Sequence, residues 1–139
     1  LRKIPGVGIG CEKAGHIYVD RSNPESARKA VRDALDRVGD GVGMLFFPEG
    51  TRSLSGKMGP FKKGAFRMAA SQKLPILPVT LIGTRDIQKA RSLVIAPGKM
   101  HMVIHPAIEV SGEDDPETIR ELMTKTRQAI ASSLPPEFR

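Results

Sequence analysis

A chain of 139 residues with 40% hydrophobic and 27% charged residues has the size of one globular domain and can bury a sizeable core. Its net charge of +7 and isoelectric point of about 9.9 point to an anionic partner: a phospholipid surface, a phosphorylated substrate, an acidic carrier protein or nucleic acid. Aromatic content of 4% with no Trp argues against a module that stacks bases, the lone Cys11 excludes an internal disulfide, and no apolar run approaches the length of a bilayer span.

The sequence begins at Leu1 rather than a methionine and enters at once the loop-like stretch Ile4-Pro5-Gly6-Val7-Gly8. This start suggests the remainder of a longer protein. Gly6, Gly8 and Gly10 imitate a dinucleotide-binding turn, but no strand precedes them and the third glycine is misplaced. His16-Ile17-Tyr18-Val19-Asp20 alternates as a strand does, with Ile17 and Val19 on one side. Ser22-Asn23-Pro24-Glu25 is a helix start, and Ala27, Ala30, Val31, Ala34, Leu35 and Val38 follow on one stripe until Gly39-Asp40-Gly41 ends it.

Residues 42–47 then read as a short buried strand, stopped by Pro48, which has no N–H for a ladder. A helix is predicted over Lys63 to Gln72, with Ala65, Phe66, Ala69 and Ala70 inward. A strand over 75–82 must carry both Pro75 and Pro78 at its start or edge, and 100–105 alternates as another strand. The last helix runs from Pro116 to about Ser133, buries Ile119, Leu122, Met123, Thr126 and Ile130, and stops at Pro135-Pro136. Alternating strands and helices predict a single α/β domain over 1–139, with a mixed, largely parallel sheet flanked by helices and lacking its first strand or strands.

The most informative run is Phe46-Phe47-Pro48-Glu49-Gly50-Thr51-Arg52-Ser53. It leaves a strand end, where α/β proteins bind ligands. Gly50 permits a sharp turn or a close backbone approach, and Thr51 offers a hydroxyl. The Arg52 fork suits phosphate or carboxylate, and Glu49 can orient it or accept from a substrate hydroxyl. Arg21 follows a neighbouring predicted strand, so both arginines would share one edge and face one anion. Alone, Arg21 is a solvated residue before a helix. Lys57, Lys62, Lys63 and Arg67 form a basic cluster, and a plain solvated face accounts equally well for Lys57 and Arg67. Lys62 and Lys63 open a helix against the preference of its dipole, a local conflict of the kind found at functional sites.

His16 and Asp20 lie about 13 Å apart along one strand, too far for a hydrogen bond, so they form no acid–base pair. His101 and His105 have the same spacing and no Cys or acidic ligand nearby, so no metal site is expected. A nucleophile elbow and a phosphate-cradling GxxxxGK[ST] loop are both missing.

Three segments together resemble the glycerophospholipid acyltransferases typified by 1-acylglycerol-3-phosphate acyltransferase. Residues 47–53, Phe-Pro-Glu-Gly-Thr-Arg-Ser, resemble that family's third block. Residues 15–21, Gly-His-Ile-Tyr-Val-Asp-Arg, resemble its second, and Leu74-Pro75-Ile76-Leu77-Pro78-Val79 its fourth. Phe61-Lys62-Lys63-Gly64 lies where members commonly carry a lysine-glycine stretch, and the resemblance runs to about Val110. The family's first block, a His-x-x-x-x-Asp pair whose histidine is the general base, occurs nowhere here and is expected upstream of Leu1.

The resemblance implies transfer of an acyl group from an acyl-CoA or acyl-carrier-protein thioester to the hydroxyl of a lysophosphatidate-like acceptor, with no other cofactor. Arg21, Glu49, Gly50, Thr51 and Arg52 would bind the acceptor phosphate. Pro48, Lys62, Pro75 and Pro78 would shape the pocket or meet the donor. Positive charge and a lipid class of substrate together suggest peripheral or anchored association with an anionic membrane surface at its cytoplasmic face. Without the histidine, no catalytic residue lies in these 139 residues, and an isolated fragment would be inactive. The rival reading is a non-enzymatic basic module for nucleic acid or anionic membrane. Nucleic acid is not expected, since neither a recognition-helix pattern nor an aromatic platform is present.

Overall fold

In the computed structural model the chain divides into two compact units, Leu1–Leu45 and Phe46–Arg139. The residues described are 43–90, 92 and 94–139, with Ile9, Lys13 and Glu25 besides. The expected strand at 16–20, the expected helix after Ser22, and Arg21 therefore lie outside them.

Within Phe46–Arg139, the first regular element is α1 (Lys63–Gln72). Of its expected inward face Phe66, Ala69 and Ala70 are buried and Ala65 is half-buried, and Met68 is buried too. Lys73 ends it in the left-handed region at φ 51°, donating to Ala70 O while Leu74 N donates to Ala69 O. This pair of bonds is the usual glycine-terminated helix stop, here built on a lysine.

The chain then enters a two-stranded antiparallel ladder, β1 (Val79–Ile82) against β2 (His101–Ile104), with Thr80 opposite Val103. An isolated bridge between Ile76 and Ile108 extends the pairing past the prolines. Pro78 lies just before β1, where its carbonyl accepts from His105 N at 3.0 Å and its missing N–H costs nothing. Regular strand is thus shorter than the expected 75–82. The pairings expected to be parallel involve residues 16–20 and 42–47.

Residues 43–47 are irregular rather than a strand, and Leu45 and Phe47 are 79% and 70% exposed. An apolar run supplies β propensity, but a strand exists only through its neighbours. The one ladder among the described residues joins β1 to β2 and leaves 43–47 unpaired. The boundary between the two units also falls inside this run.

Between the strands, Gly83 (φ 89°) starts the single turn α2 (Thr84–Ile87). A side chain at Gly83 would collide with Lys99 O. The long helix α3 (Pro116–Ser133) has the bounds its sequence predicts. Asp115 caps it, accepting from Glu117 N at 2.8 Å and Thr118 N at 3.0 Å, and Pro116 stands at N1, where no N–H is needed. A 3-10 turn, Pro136–Phe138, follows.

The core gathers Phe61, Phe66, Ala69, Ala70, Val110, Ile119 and Leu122, where α1 and α3 meet. The rings of Phe61 and Phe66 stack 6.1 Å apart. Thr80, only 1% exposed, locks β1 to both of its neighbours. Its hydroxyl donates to Ile130 O of α3 at 3.1 Å and lies 2.8 Å from His105 Nε2. A hydroxyl has one proton, so Nε2–H of His105 must be the donor in the second bond. That assignment makes His105 a structural residue.

Candidate functional site

The site is built on a closed loop, residues 48–62. Lys62 N donates to Pro48 O at 2.7 Å and joins its two ends. At the start, Gly50 N donates to Phe47 O at 2.9 Å, a turn that places Gly50 at φ 72°. Glycine meets that φ without the clash a side chain brings. The Glu49 carboxylate turns inward and accepts from Gly59 N at 2.7 Å across the loop. It therefore fastens the loop to itself and makes no ion pair with Arg52 among the described residues.

Beyond that turn, Thr51, Arg52, Ser53, Leu54, Ser55 and Ala90 line a groove of about 530 Å³. Thr51 and Arg52 are both exposed. Arg52 Nη1 donates to Gln88 Oε1 at 3.4 Å, and Gln88 Nε2 donates to Ser92 O at 3.2 Å. The guanidinium thus lies along the groove, with most of its donors left for a ligand. The loop tip is pinned by serines: Gly56 N donates to Ser53 Oγ at 3.1 Å, and Lys57 N to Ser55 Oγ at 3.2 Å.

The residues singled out by sequence separate into groups. Pro48, Glu49, Gly50, Thr51 and Arg52 form one continuous turn and groove wall. Lys62 is tied to Pro48 through its backbone and leaves its side chain exposed at the start of α1. That helix has neither a side-chain cap nor an acidic residue in its first turn. Pro75 is exposed and Pro78 buried on the approach to β1, and neither lines the groove. Arg67 belongs elsewhere, in an exposed two-bond pair with Asp114 at 3.1 and 3.2 Å. The solvated-face reading of Arg67 is the one the structure shows. Its own pKa is raised by the hydrogen bond and charge of Asp114. Among the described residues, no cluster of three His, Cys, Asp or Glu side chains offers a metal site.

Three residues at the loop were not visible in the sequence reading: Gln88, Arg85 and Arg127. Arg85 holds the carbonyls of Leu54 and Ser55, and Arg127 those of Met58 and Gly59. A spacing rule detects side chains that meet other side chains. For Arg85 and Arg127 the partners are backbone oxygens, which every residue possesses, and Gln88 meets the Arg52 side chain from 36 residues away.

The fold and groove define a class first: an α/β domain that presents an arginine-bearing loop beside its sheet. The acyltransferase family model matches residues 1–82, and the chain belongs to that family. It is 38% identical over 136 residues to a 1-acyl-sn-glycerol-3-phosphate acyltransferase of Chlamydomonas reinhardtii, which covers 97% of this chain and 40% of that protein. A mouse 1-acyl-sn-glycerol-3-phosphate acyltransferase alpha is 30% identical over 125 residues, 88% of this chain and 44% of the relative. The crystal structure of the 1-acyl-sn-glycerophosphate acyltransferase PlsC from Thermotoga maritima superposes with a TM-score of 0.74 at 30% identity, over 97% of this chain and 54% of that one. The chain thus spans less than half the length of these two curated relatives, and its α/β fold is that of PlsC.

Proposed function

We propose that this chain supplies the acceptor-binding part of an acyltransferase that acylates the free hydroxyl of 1-acylglycerol 3-phosphate. The observation that carries the reading is Arg52. It is an arginine without a carboxylate partner among the described residues, held along a groove whose other polar groups are the Thr51, Ser53 and Ser55 hydroxyls. A guanidinium with open donors beside the Thr51 hydroxyl suits a phosphate monoester, which takes two parallel N–H bonds from the fork. The names of the relatives supply the substrate class. Arg21, which the family resemblance assigns to the acceptor phosphate, lies outside the described residues.

In this reading the acceptor's hydroxyl oxygen attacks the carbonyl carbon of an acyl thioester. An ester C–O bond forms, the C–S bond breaks, the hydroxyl proton goes to a base, and the thiolate leaves. Phosphate binding by Arg52 fixes the distance between the anion and the attacking oxygen, and so contributes through orientation. The 139 residues contain no His-x-x-x-x-Asp pair, so the base would come from outside them. The donor would be acyl-CoA or an acylated carrier protein. Exposed Lys57, Lys62 and Lys63 offer positive charge to its phosphates or to an anionic membrane surface at the cytoplasmic face. Among the described residues no helix is long and apolar enough to cross a membrane.

The test is a titration of the isotope-labelled chain with sn-glycerol 3-phosphate, followed by amide shifts at Thr51 to Ser55. Arg52→Ala is expected to weaken binding about 10- to 100-fold, the worth of charge-assisted bonds to an anion. Equal affinity in the two proteins would refute the assignment.

A further inference from the structure

Residues 53–60 join the Arg52 run to α1 without helix or strand, yet four successive or near-successive carbonyls of this stretch are taken up by two arginines. Arg85, on α2, donates through Nη1 to Ser55 O and through Nη2 to Leu54 O at 3.1 Å. Arg127, in the second half of α3, donates through Nη1 to Gly59 O at 2.6 Å and through Nη2 to Met58 O at 3.1 Å. Its guanidinium also lies 5.5 Å from the centre of the Phe61 ring, so the fork is seated on the core. Each guanidinium thus spans two consecutive carbonyls. A lysine has no fixed planar fork with which to do this.

Two consequences bear on the groove. First, Arg52 lies between the turn closed by Phe47 O and Gly50 N and the carbonyls fixed by Arg85, so its backbone is held on both sides. Arg127 adds to this, because Gly59 accepts from Arg127 at its oxygen and donates to Glu49 from its nitrogen. Second, a guanidinium satisfied by neutral carbonyls keeps its whole charge. Among the described residues neither Arg85 nor Arg127 pairs with a carboxylate, and the Leu54 and Ser55 that Arg85 holds are walls of the groove. Gly56 shows that the chain makes room for this arrangement. It has φ 86°, and a Cβ there would stand 2.6 Å from Arg85 Nη1 and 2.9 Å from Phe138 Cε1.

We propose that Arg85 and Arg127 are positioning residues for a phosphate-monoester site at Thr51 and Arg52, clamping the loop from both sides while adding uncompensated positive charge beside it. The proposal rests on the acceptor-phosphate reading of Arg52. The experiment is a titration of the chain with sn-glycerol 3-phosphate, alongside amide hydrogen exchange of Gly56 and Lys57 without ligand. The variants are Arg85→Gln, Arg85→Lys and Arg127→Met, with Arg67→Gln as a control of equal charge change outside the loop. Arg85→Gln and Arg127→Met are expected to weaken binding about tenfold, on the scale of charge-assisted bonds lost from a folded chain, and Arg85→Gln to speed exchange at Gly56 and Lys57. Arg85→Lys should fall between Arg85→Gln and the unsubstituted chain, and Arg67→Gln should bind normally.

Unchanged affinity in Arg85→Gln overturns the proposal and leaves the Arg52 site standing. Full affinity in Arg85→Lys, or an equal loss in Arg67→Gln, overturns the positioning role in favour of bulk charge. Absence of binding by the unsubstituted chain overturns both readings. Should Arg127→Met not fold, Arg85→Gln decides alone, since Arg85 is exposed.

Discussion

Replacing Thr80 by valine removes one hydroxyl and almost no volume, and it tests how the sheet is fixed to its surroundings. Thr80 is 1% exposed, and its Oγ1 joins Ile130 O and His105 Nε2. Ile130 lies in the last turn of α3, where carbonyls lack an intrahelical donor, and Leu134 N turns to Ala131 O instead. Thr80→Val therefore strands one carbonyl and one imidazole N–H. Each stranded group costs about 1–3 kcal/mol when fully buried, and since His105 and Ile130 are half-buried the sum should be about 2–3 kcal/mol. Thr80→Ser keeps both bonds and loses one methyl group, a cost of about 1 kcal/mol. Urea denaturation followed by far-ultraviolet circular dichroism should show Thr80→Val lowering the midpoint by roughly 1–2 M, with Thr80→Ser shifted by less than half as much. A valine variant as stable as the serine variant would show that the hydroxyl network contributes nothing and that His105 is not held through Thr80.

Lys73→Gly should stabilise the chain by about 0.5–1 kcal/mol, because glycine takes the φ of 51° at the end of α1 without steric cost; a lower melting temperature would refute this. Thr126 is buried with its Oγ1 unpartnered among the described residues, so Thr126→Val should raise stability by about 1 kcal/mol in the same urea assay. Thr118, hydroxyl first and then N–H, with Glu117 N–H assisting, holds the Asp115 carboxyl below the ordinary carboxylate value of about 3.9. A lowered folded-state pKa favours the charged carboxylate. Its stabilisation is therefore present above the ordinary value and lost as pH falls through the folded one. Asp115→Asn should keep the cap at neutral pH yet flatten the decline of stability below about pH 4, as read from melts across pH.

The elements that declared themselves in the sequence are those whose causes are local. α3 announces its start by Asp115-Pro116, its buried face by Ile119, Leu122 and Thr126, and its end by Pro135-Pro136. α1 likewise follows from Phe66, Ala69 and Ala70 at helical spacing. Residues 43–47 were misread for the opposite reason: their apolar content speaks of burial, while strand identity depends on a partner elsewhere in the chain. α2 was missed because four residues make no period, and Gly83 sets it through a φ that composition does not reveal. At the site, the sharp turn that Gly50 permits is the one the sequence reading expected, although it leaves an irregular segment rather than a strand end. The inward turn of Glu49 onto Gly59, and the two arginines on the loop carbonyls, needed coordinates. In each case one partner is a main-chain group that carries no mark in the sequence.

One hydrogen bond, from Lys62 N to Pro48 O, brings the entrance and exit of the Arg52 segment to the same place. Between those points the tip around Ser55 and Gly56 can change in length without moving the start of α1, whereas Met58, Gly59 and Phe61 are tied to the core and to α3. Insertions near Ser55 and Gly56 would thus leave α1 in place yet loosen the grip of Arg85 on the far side of Arg52. The hold on Arg52 can therefore be retuned from within this segment without rebuilding the helices around it.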